Sequence, residues 1–258
     1  MCTAVVSIDP DASFPVLLAG VRDEFHDRSW LSPGRHWPDT PNVIGGLDLL
    51  AGGTWLAVDP GVPRFAAVLN GSPVDRGAAH GSPPEEDRLS RGGLPLRFAA
   101  DGELGEIDTA RYEPFYLICG TLDQVRLLSW NGQAFTDRCL EPGLHIVTNL
   151  GPAGSDLREG FGMEEINARI RHFQPRLAAA PRPAPRTGST AVAWGDWAPL
   201  IEGDGLDPRD PRALVVRQDF DGRAAGTTSM TLLALGHDSV RYDFNGAPGV
   251  SGQWSTIE

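Results

Sequence analysis

The chain has 258 residues and a net charge of −12, and all 22 of its positive side chains are arginine. The lack of lysine excludes Schiff-base catalysis and the lysine of a phosphate-binding loop, and the acidity argues against nucleic acid or an anionic membrane as a partner. The length and the 41% apolar content suit one large domain over residues 1–258.

Short apolar runs bounded by glycine, proline and aspartate dominate the first 150 residues and predict strands. A turn-like cluster at Asp9–Ser13 joins the first two runs and predicts an antiparallel hairpin. The predicted strands are Thr3–Ile8, Val16–Gly20, Trp55–Val58, Phe65–Leu69, Phe115–Cys119 and Val125–Trp130.

Helices are fewer, and the pattern as a whole predicts a layered α+β fold. One helix is predicted to begin at the N-cap residues Ser155–Asp156, to place Phe161, Ile166, Ile170 and Phe173 on one face, and to end at Pro175. The other predicted helices are Glu85–Phe98 and Ala191–Ile201, the latter with Trp194 and Trp197 against the sheets, and the last predicted strands are Ala213–Arg217, Thr227–Leu235 and Ser239–Phe244. The proline, alanine and arginine of residues 175–188 predict an exposed loop or flexible insert within the single domain.

The three cysteines, Cys2, Cys119 and Cys139, form no CxxC pair and leave an odd thiol in any disulfide scheme, which indicates a reducing compartment. The N-terminus lacks the basic start and continuous apolar stretch of a signal peptide, and no segment approaches the roughly 20 apolar residues of a membrane span. We therefore expect a cytoplasmic protein without stable membrane insertion.

Cys2 is the first candidate for chemistry. Once Met1 is removed, this residue carries a thiol and an α-amine, whose ordinary pKa values are about 8.5 and about 7.7 to 8. One residue then supplies both the attacking sulfur and the group that takes its proton.

Three charged residues, Arg22, Asp23 and Glu24, follow the second apolar run. If the hairpin forms, the end of that run returns close to Cys2. Asp23 can then hold the α-amino group, and Arg22 offers a cation near the thiolate or a substrate carboxylate. A solvated turn explains the same residues equally well.

Two asparagines, Asn70 and Asn149, follow predicted strand ends. An amide donor in such a place stabilises the oxyanion of an acyl-transfer intermediate. The alternative is turn chemistry, since Asn70-Gly71 is a common hairpin tip.

An ordered series of motifs in the first 150 residues resembles the NRDE family, also called the transport and Golgi organisation protein 2 family. The series consists of Met1-Cys2, Leu17–Phe25 (LLAGVRDEF), Trp37, Ile44–Asp48 (IGGLD), Gly52–Val58 (GGTWLAV), Arg64–Asn70 (RFAAVLN), Ser90–Gly92 and Thr148–Asn149. The chain departs from the family at Val21, where the family's naming motif begins with asparagine. It also has Gly71 where the family often carries an arginine.

The resemblance implies an N-terminal nucleophile hydrolase fold, a four-layer αββα sandwich of two antiparallel sheets between helices. It also implies that Cys2 is the nucleophile, that Asp23 partners its amine, and that Asn70 and Asn149 are the oxyanion and amine-orienting amides. Arg217 or Arg223 would correspond to a second arginine of the related amidases, whereas Gly20 stands where they place their first.

Two functions are compatible with the resemblance. One is a cysteine amidohydrolase that acts on a linear amide or acyl bond of a small molecule and requires no cofactor. The alternative is a non-catalytic protein that binds and carries haem or an acyl-CoA or lipid, with Cys2 as a ligand or a relic; a structural protein without either activity is a third.

Other constellations in the sequence are weaker. The six histidines show no metal-ligand spacing, so we expect no metal site. A Cys-His dyad with Cys119 or Cys139 stays open, although both cysteines lie in or near apolar runs, where an inert buried thiol is the usual outcome.

Overall fold

The computed structural model of the chain describes residues 2–72, 84–154, 163–250 and 252–258. The chain is an α+β protein with antiparallel strands and few helices, which confirms the predicted class. The strands are β1 (Thr3–Ile8), β2 (Val16–Phe25), β3 (Trp30–Gly34), β4 (Ile44–Asp48), β5 (Leu56–Asp59), β6 (Arg64–Asn70), β7 (Phe115–Thr121), β8 (Val125–Trp130), β9 (Phe135–Cys139), β10 (Gly143–Thr148), β11 (Gly151–Pro152), β12 (Arg217–Phe220), β13 (Arg223–Leu235), β14 (Val240–Asn245) and β15 (Trp254–Ile257). The α-helices are α1 (Gly93–Asp101), α2 (Met163–Ala179), α3 (Thr190–Trp194) and α4 (Trp197–Ile201).

The chain forms two compact units, of which the first contains residues 2–27 and 142–258, except residues 155–162 and 251, which lie outside the described chain. Its antiparallel sheet has the order β11-β10-β1-β2-β13-β14-β15, and β12 pairs with β13. The predicted hairpin is confirmed, since β1 pairs with β2 from Thr3↔Val21 to Ile8↔Val16. The strand that follows Cys2 therefore lies inside the sheet, with a partner on each side.

Helices cover one face of this sheet. Phe173 of α2, Trp194 of α3 and Trp197 of α4 pack with strand residues such as Val5 and Leu17 in one apolar cluster. Full burial of an apolar side chain of this size contributes about 1.5 to 3 kcal/mol. The predicted packing of the two tryptophans is confirmed, although they lie on two short helices rather than one.

The second unit contains residues 28–141, except residues 73–83, which lie outside the described chain. Its antiparallel sheet follows the chain order from β3 to β9. Its core includes Phe98 of α1 with Phe115 and Leu117 of β7. Whether the two units form a single domain, and whether their sheets stack in a four-layer sandwich, depends on how the units are arranged. Both therefore remain predictions.

The helix predicted to end at Pro175 continues to Ala179, so that boundary is wrong. Its predicted start at Ser155–Asp156 lies outside the described residues. An internal proline costs a helix about 3 kcal/mol, but Phe173 and Leu177 on either side of it are each 2% exposed. Their packing outweighs the local preference, since tertiary contacts supply most helix stability.

The Pro-rich segment that follows this helix is packed in places. Pro183 and Pro185 are buried, and Arg182 donates hydrogen bonds to Ser7 Oγ at 3.0 Å and to the oxygen of Phe14 at 2.8 Å. The expectation that this composition does not pack is therefore wrong. Its flexibility remains a prediction.

Other predicted boundaries shift for local reasons. The helix predicted over Glu85–Phe98 begins only at Gly93, and Gly195, with φ of 50°, separates α3 from α4. The buried run Ala213–Val216 precedes β12 without joining a ladder, because a buried apolar run does not have to be a strand.

Gly53 lies against the backbone of Gly92 in the second unit. A Cβ at Gly53 would stand 2.6 Å from the carbonyl carbon of Gly92. We expect Gly53→Ala to lower the free energy of unfolding by about 1 to 3 kcal/mol, because the added methyl group clashes with backbone atoms that can move only if the chain shifts. Chemical denaturation measures this change. Gly93→Ala is the control, since a Cβ there meets nothing within 4 Å; equal denaturation midpoints for the two variants would contradict the prediction.

Candidate active site

Cys2 directly precedes β1, between the ends of the two strands that flank it. Thr3 pairs with Val21 of β2 and with Thr148 of β10. The Sγ of Cys2 donates a hydrogen bond to the main-chain oxygen of Asp23, 3.5 Å away. The hairpin therefore brings the predicted nucleophile and the predicted acidic residue together.

Strand alternation divides the site between the two faces of the sheet. Thr3 and Asp23 face α2, since the side chains of both lie within 4 Å of Arg169 on that helix. Cys2 and Arg22, the neighbouring residues on their strands, take the opposite face. The main chain of Cys2, which carries the nitrogen of the proposed amine, runs between the two faces.

The carboxylate of Asp23 is held from two sides and is only 4% exposed. Thr227 of β13 donates its hydroxyl hydrogen bond to Oδ1 at 2.6 Å. A guanidinium nitrogen of Arg169 lies 3.9 Å from Oδ2. The explanation of this stretch as a solvated turn is wrong, because Arg22 is also buried, with 7% exposure.

A β-bulge in β13 provides the partner of Arg22. Thr227 pairs with Asp23 and Ser229 pairs with Arg22, so Thr228 is an extra residue in the strand. Arg22 Nη1 donates to the hydroxyl of Thr228 at 2.8 Å, and that hydroxyl donates to the main-chain oxygen of Arg22 at 3.2 Å. Bulges of this kind re-aim side chains near functional sites.

The Cys2 thiol is protonated at neutral pH. Burial raises the pKa of this thiol, and the negative charge of Asp23 acts in the same direction, while Arg22 acts against both. Burial lowers the pKa of Arg169, opposed by the charges of Asp23 and Cys2, and a guanidinium stays cationic under such a shift. A reaction at this sulfur therefore needs a base.

Asn149 lies next to Thr148, the residue that pairs with Thr3, so the sheet places it at the same end as Cys2. The turn around it is fixed locally. Thr148 Oγ1 donates to the oxygen of Gly151 at 3.2 Å and accepts from the nitrogen of Leu150 at 3.2 Å. The side chain of Asn149 is half-buried at this turn.

Asn70 ends β6 in the second unit, so its predicted place beside Cys2 remains a prediction. Asn70 pairs with Phe115 of β7, and Gly71 donates to the oxygen of Pro114 at 2.8 Å. The alternative of a hairpin tip at Asn70-Gly71 is wrong, because the partner strand lies about 45 residues further along the chain.

The two arginines suggested as the second arginine lie at the surface. Arg217 is exposed in β12. Arg223 pairs with Asp27 at 2.9 Å and lies over the ring of Phe25. The arginine that faces Asp23 is instead Arg169.

Sequence reasoning therefore missed Arg169, Thr227 and Thr228. Arg169 did leave a signal, since it follows Ile166 by three residues and precedes Phe173 by four, on the apolar stripe of the helix. An arginine on a buried face is rare without a partner. Thr227 and Thr228 lie in an ordinary strand pattern, so the sequence gives no signal of their contacts with Asp23 and Arg22.

The other two cysteines differ in their surroundings. Cys119 is 1% exposed, and burial raises the pKa of its thiol strongly, which confirms that this thiol is buried; its inertness remains a prediction. Cys139 is exposed, so the same expectation is wrong for it, and its Sγ lies 3.6 Å from the side-chain oxygen of Gln124. Among the described residues, no group of three or more histidine, cysteine or acidic side chains is arranged to hold a metal ion.

A cleft of about 650 Å³ lies at the far end of β1 from Cys2. Its volume falls in the range of small-molecule sites. Among the described residues that line it there is no histidine, cysteine or methionine, the usual ligands of haem iron. The lining consists of Ser7, Ile8, Asp9, Pro10, Asp11, Pro142, Gly143, Leu144, Leu177, Ala178, Ala180, Arg182 and Trp197.

A family model matches the N-terminal part of the chain. The family model described as Transport and Golgi organisation 2 matches residues 1–172 of the 258. The matched range includes Cys2, Asp23, Asn149 and Arg169. No curated protein matches the chain. None of the helices within the described ranges has the length and apolar content needed to cross a membrane.

Proposed function

Since the chain belongs to the Transport and Golgi organisation 2 family, we propose that it is a cysteine amidohydrolase of the N-terminal nucleophile type, with the four-layer αββα fold. Removal of Met1 makes Cys2 the nucleophile. The observation that carries the proposal is the position of this thiol. Its sulfur lies 3.5 Å from the main-chain oxygen of Asp23. The start of β1, just after Cys2, pairs with the end of β10, just before Asn149.

The α-amine of Cys2 supplies the base that the protonated thiol needs. It takes the thiol proton as sulfur attacks the carbonyl carbon of a linear amide. The tetrahedral intermediate collapses when the ammonium returns this proton to the leaving amine, and a thioester remains. Water then gives a proton to the α-amine and attacks the thioester. The intermediate releases the acid and expels the thiolate, which takes the proton back from the ammonium, so both the thiol and the free amine are restored.

The neighbouring side chains supply charge at the points where the reaction needs it. Asp23 holds the ammonium form of Cys2, and Arg22 places a cation on the face of the thiolate. Asn149, with Asn70, donates to the oxyanion, a type of contact that contributes about 3 to 4 kcal/mol in other enzymes. The substrate class is a small molecule with a linear amide or acyl bond.

Removal of Met1 is directly measurable. We expect the intact mass of the purified protein to correspond to a chain that begins at Cys2. A chain that keeps Met1 has no amine on Cys2 and so no base in this mechanism.

We expect an acylating amide or ester probe to modify Cys2, because a nucleophile that forms a thioester traps such a probe. Peptide mass mapping after incubation locates the label. Cys2→Ala removes it, whereas Cys139→Ala, which removes the exposed thiol, leaves it in place.

Labelling that persists in Cys2→Ala would contradict the mechanism. A haem titration of both proteins tests the alternative. An absorbance change at micromolar haem that depends on Cys2, without acylation, would favour the carrier function.

A further inference from the structure

Two arginines, the buried Arg169 and the half-buried Arg182, hold the two ends of β1 through hydroxyl groups on the same face of the sheet. Arg169 Nη1 donates to Thr3 Oγ1 at 3.0 Å, one residue after Cys2. Arg182 Nε donates to Ser7 Oγ at 3.0 Å, near the other end of the strand. Only the first of these arginines also lies beside a carboxylate of the candidate active site.

Arg169 is fixed firmly for a long side chain. It is 5% exposed, and its Nε donates to the main-chain oxygen of Ala213 at 2.8 Å. Its Nη1 faces both Thr3 and the carboxylate of Asp23. The guanidinium therefore connects α2, the first residue of β1 and the acidic residue of β2.

The buried carboxylate of Asp23 needs this charge. A buried carboxylate loses its contact with water, and a nearby cation compensates for that loss. Thr227 contributes a hydrogen bond at 2.6 Å without a charge. Arg169 supplies the charge on the side of Oδ2.

We propose that Arg169 is the positioning residue of the Cys2 site: it holds the carboxylate of Asp23 in place, and it balances the charge around the sulfur and the amine. This inference rests on the proposed function. Arg169 acts through Asp23 and Thr3 and does not touch the substrate.

The balance has a direct consequence for proton transfer. With Arg169 present, Asp23 and the guanidinium form a neutral pair, and transfer of a proton from sulfur to nitrogen creates a second neutral pair. Without Arg169, the carboxylate charge is no longer offset, so the pKa values of both the thiol and the amine rise. The amine is then protonated before it can act as a base.

Other charged groups near the site are accounted for. Arg22 and Glu24 of β2 form an ion pair at 3.8 Å on the same strand as Asp23. On β10, His145 pairs with Val6, four residues along β1 from Cys2. Arg169 is the charged residue that α2 brings to Asp23.

The test is the pH dependence of Cys2 alkylation by iodoacetamide, followed by peptide mass. In this reaction the thiolate sulfur displaces iodide, so the rate reports the thiolate fraction and requires no turnover. We expect Arg169→Met to raise the midpoint by about one pH unit and to lower the rate at pH 7 about tenfold, since one opposite charge at this range shifts a pKa by about 1 to 3 units. Arg169→Lys keeps the cation and is expected to stay within about 0.3 units of the unmodified protein.

The control is Arg182→Met, which removes the matching arginine from the other end of the same strand. We expect no shift of the midpoint there. Equal midpoints for Arg169→Met and Arg182→Met, with both proteins folded by circular dichroism, would overturn the inference.

If Arg169→Met does not fold, Arg169→Gln decides, because glutamine keeps a hydrogen-bond donor without the charge. A midpoint about one unit above that of the unmodified protein supports a role of the charge, and an unchanged midpoint overturns it. Failure of the hydrolase proposal is separately visible, because Cys2 would then resist acylation while its alkylation midpoint still shifts in Arg169→Met.

Discussion

Replacement of Asp243 with alanine is expected to lower the free energy of unfolding by about 3 to 5 kcal/mol, because removal of one partner of a buried ion pair leaves the other charge uncompensated. Asp243 lies in β14 and has no exposed surface. Its carboxylate receives two hydrogen bonds from Arg241, at 2.6 and 3.1 Å. The guanidinium is itself 7% exposed, so water cannot replace the missing acid.

Three further donors make this carboxylate the junction of separate elements. Trp194 of α3 donates to it at 2.7 Å, Thr190 at the start of the same helix at 3.1 Å, and Thr256 of β15 at 2.7 Å. The alanine variant leaves the donors of Trp194 and Thr190 buried without this acceptor, and each such loss costs about 1 to 3 kcal/mol before relaxation. The edge of the sheet and its short helix are therefore expected to loosen together.

Urea denaturation followed by tryptophan fluorescence measures the change. Asp238→Ala is the control, since Asp238 is exposed between β13 and β14 and is expected to change the stability by less than about 0.5 kcal/mol. The double variant Asp243→Leu with Arg241→Met removes both charges and is expected to be more stable than Asp243→Ala. A stability of Asp243→Ala within 1 kcal/mol of the unmodified protein would show that the junction contributes little.

The second large effect is expected at Asp23. If the proposed hydrolase function holds, Asp23→Asn lowers the rate of acyl transfer by about 10² to 10⁴-fold, the range lost with a positioned acid or base group. An amide of the same size keeps the contact with Thr227 but cannot hold an ammonium ion. It also leaves the buried Arg169 without its carboxylate.

The rate is measured as release of nitrophenolate from p-nitrophenyl acetate, an activated ester that acylates a reactive thiol. Asp27→Asn is the matched control, because Asp27 follows β2 by two residues and its carboxylate pairs with Arg223 at the surface. We expect that control to stay close to the unmodified protein. Rates for Asp23→Asn and Asp27→Asn within threefold of each other, in folded proteins, would refute the assigned role of Asp23.

The parts of the site predicted from the sequence are those that depend on neighbours along the chain. A five-residue turn at Asp9–Ser13 forces β1 and β2 to pair, and that pairing alone carries Asp23 to Cys2. The short apolar run Thr3–Ile8 predicted both ends of β1 correctly. Local rules suffice when the contact is made by one hairpin.

The missing parts depend on contacts between distant segments. Thr227 is 204 residues from Asp23, and the hydrogen bond between Arg169 and Thr3 spans 166 residues. No periodicity in a strand or helix encodes such a partner, because propensity describes only the element itself. At Pro175 the local signal predicts the end of a helix, but packing against distant residues keeps the helix intact to Ala179.

The bulge at Thr228 in β13 is explained by its contact with Arg22. Deletion of this one residue would leave Thr227 opposite Asp23 and Ser229 opposite Arg22, as in the present register, and every later residue would keep its face. The shortened strand would be a regular ladder, and Arg22 would lose the hydroxyl that holds its guanidinium. The regular ladder does not require the additional residue, so its insertion fixes the position of Arg22 rather than the pairing of the strands.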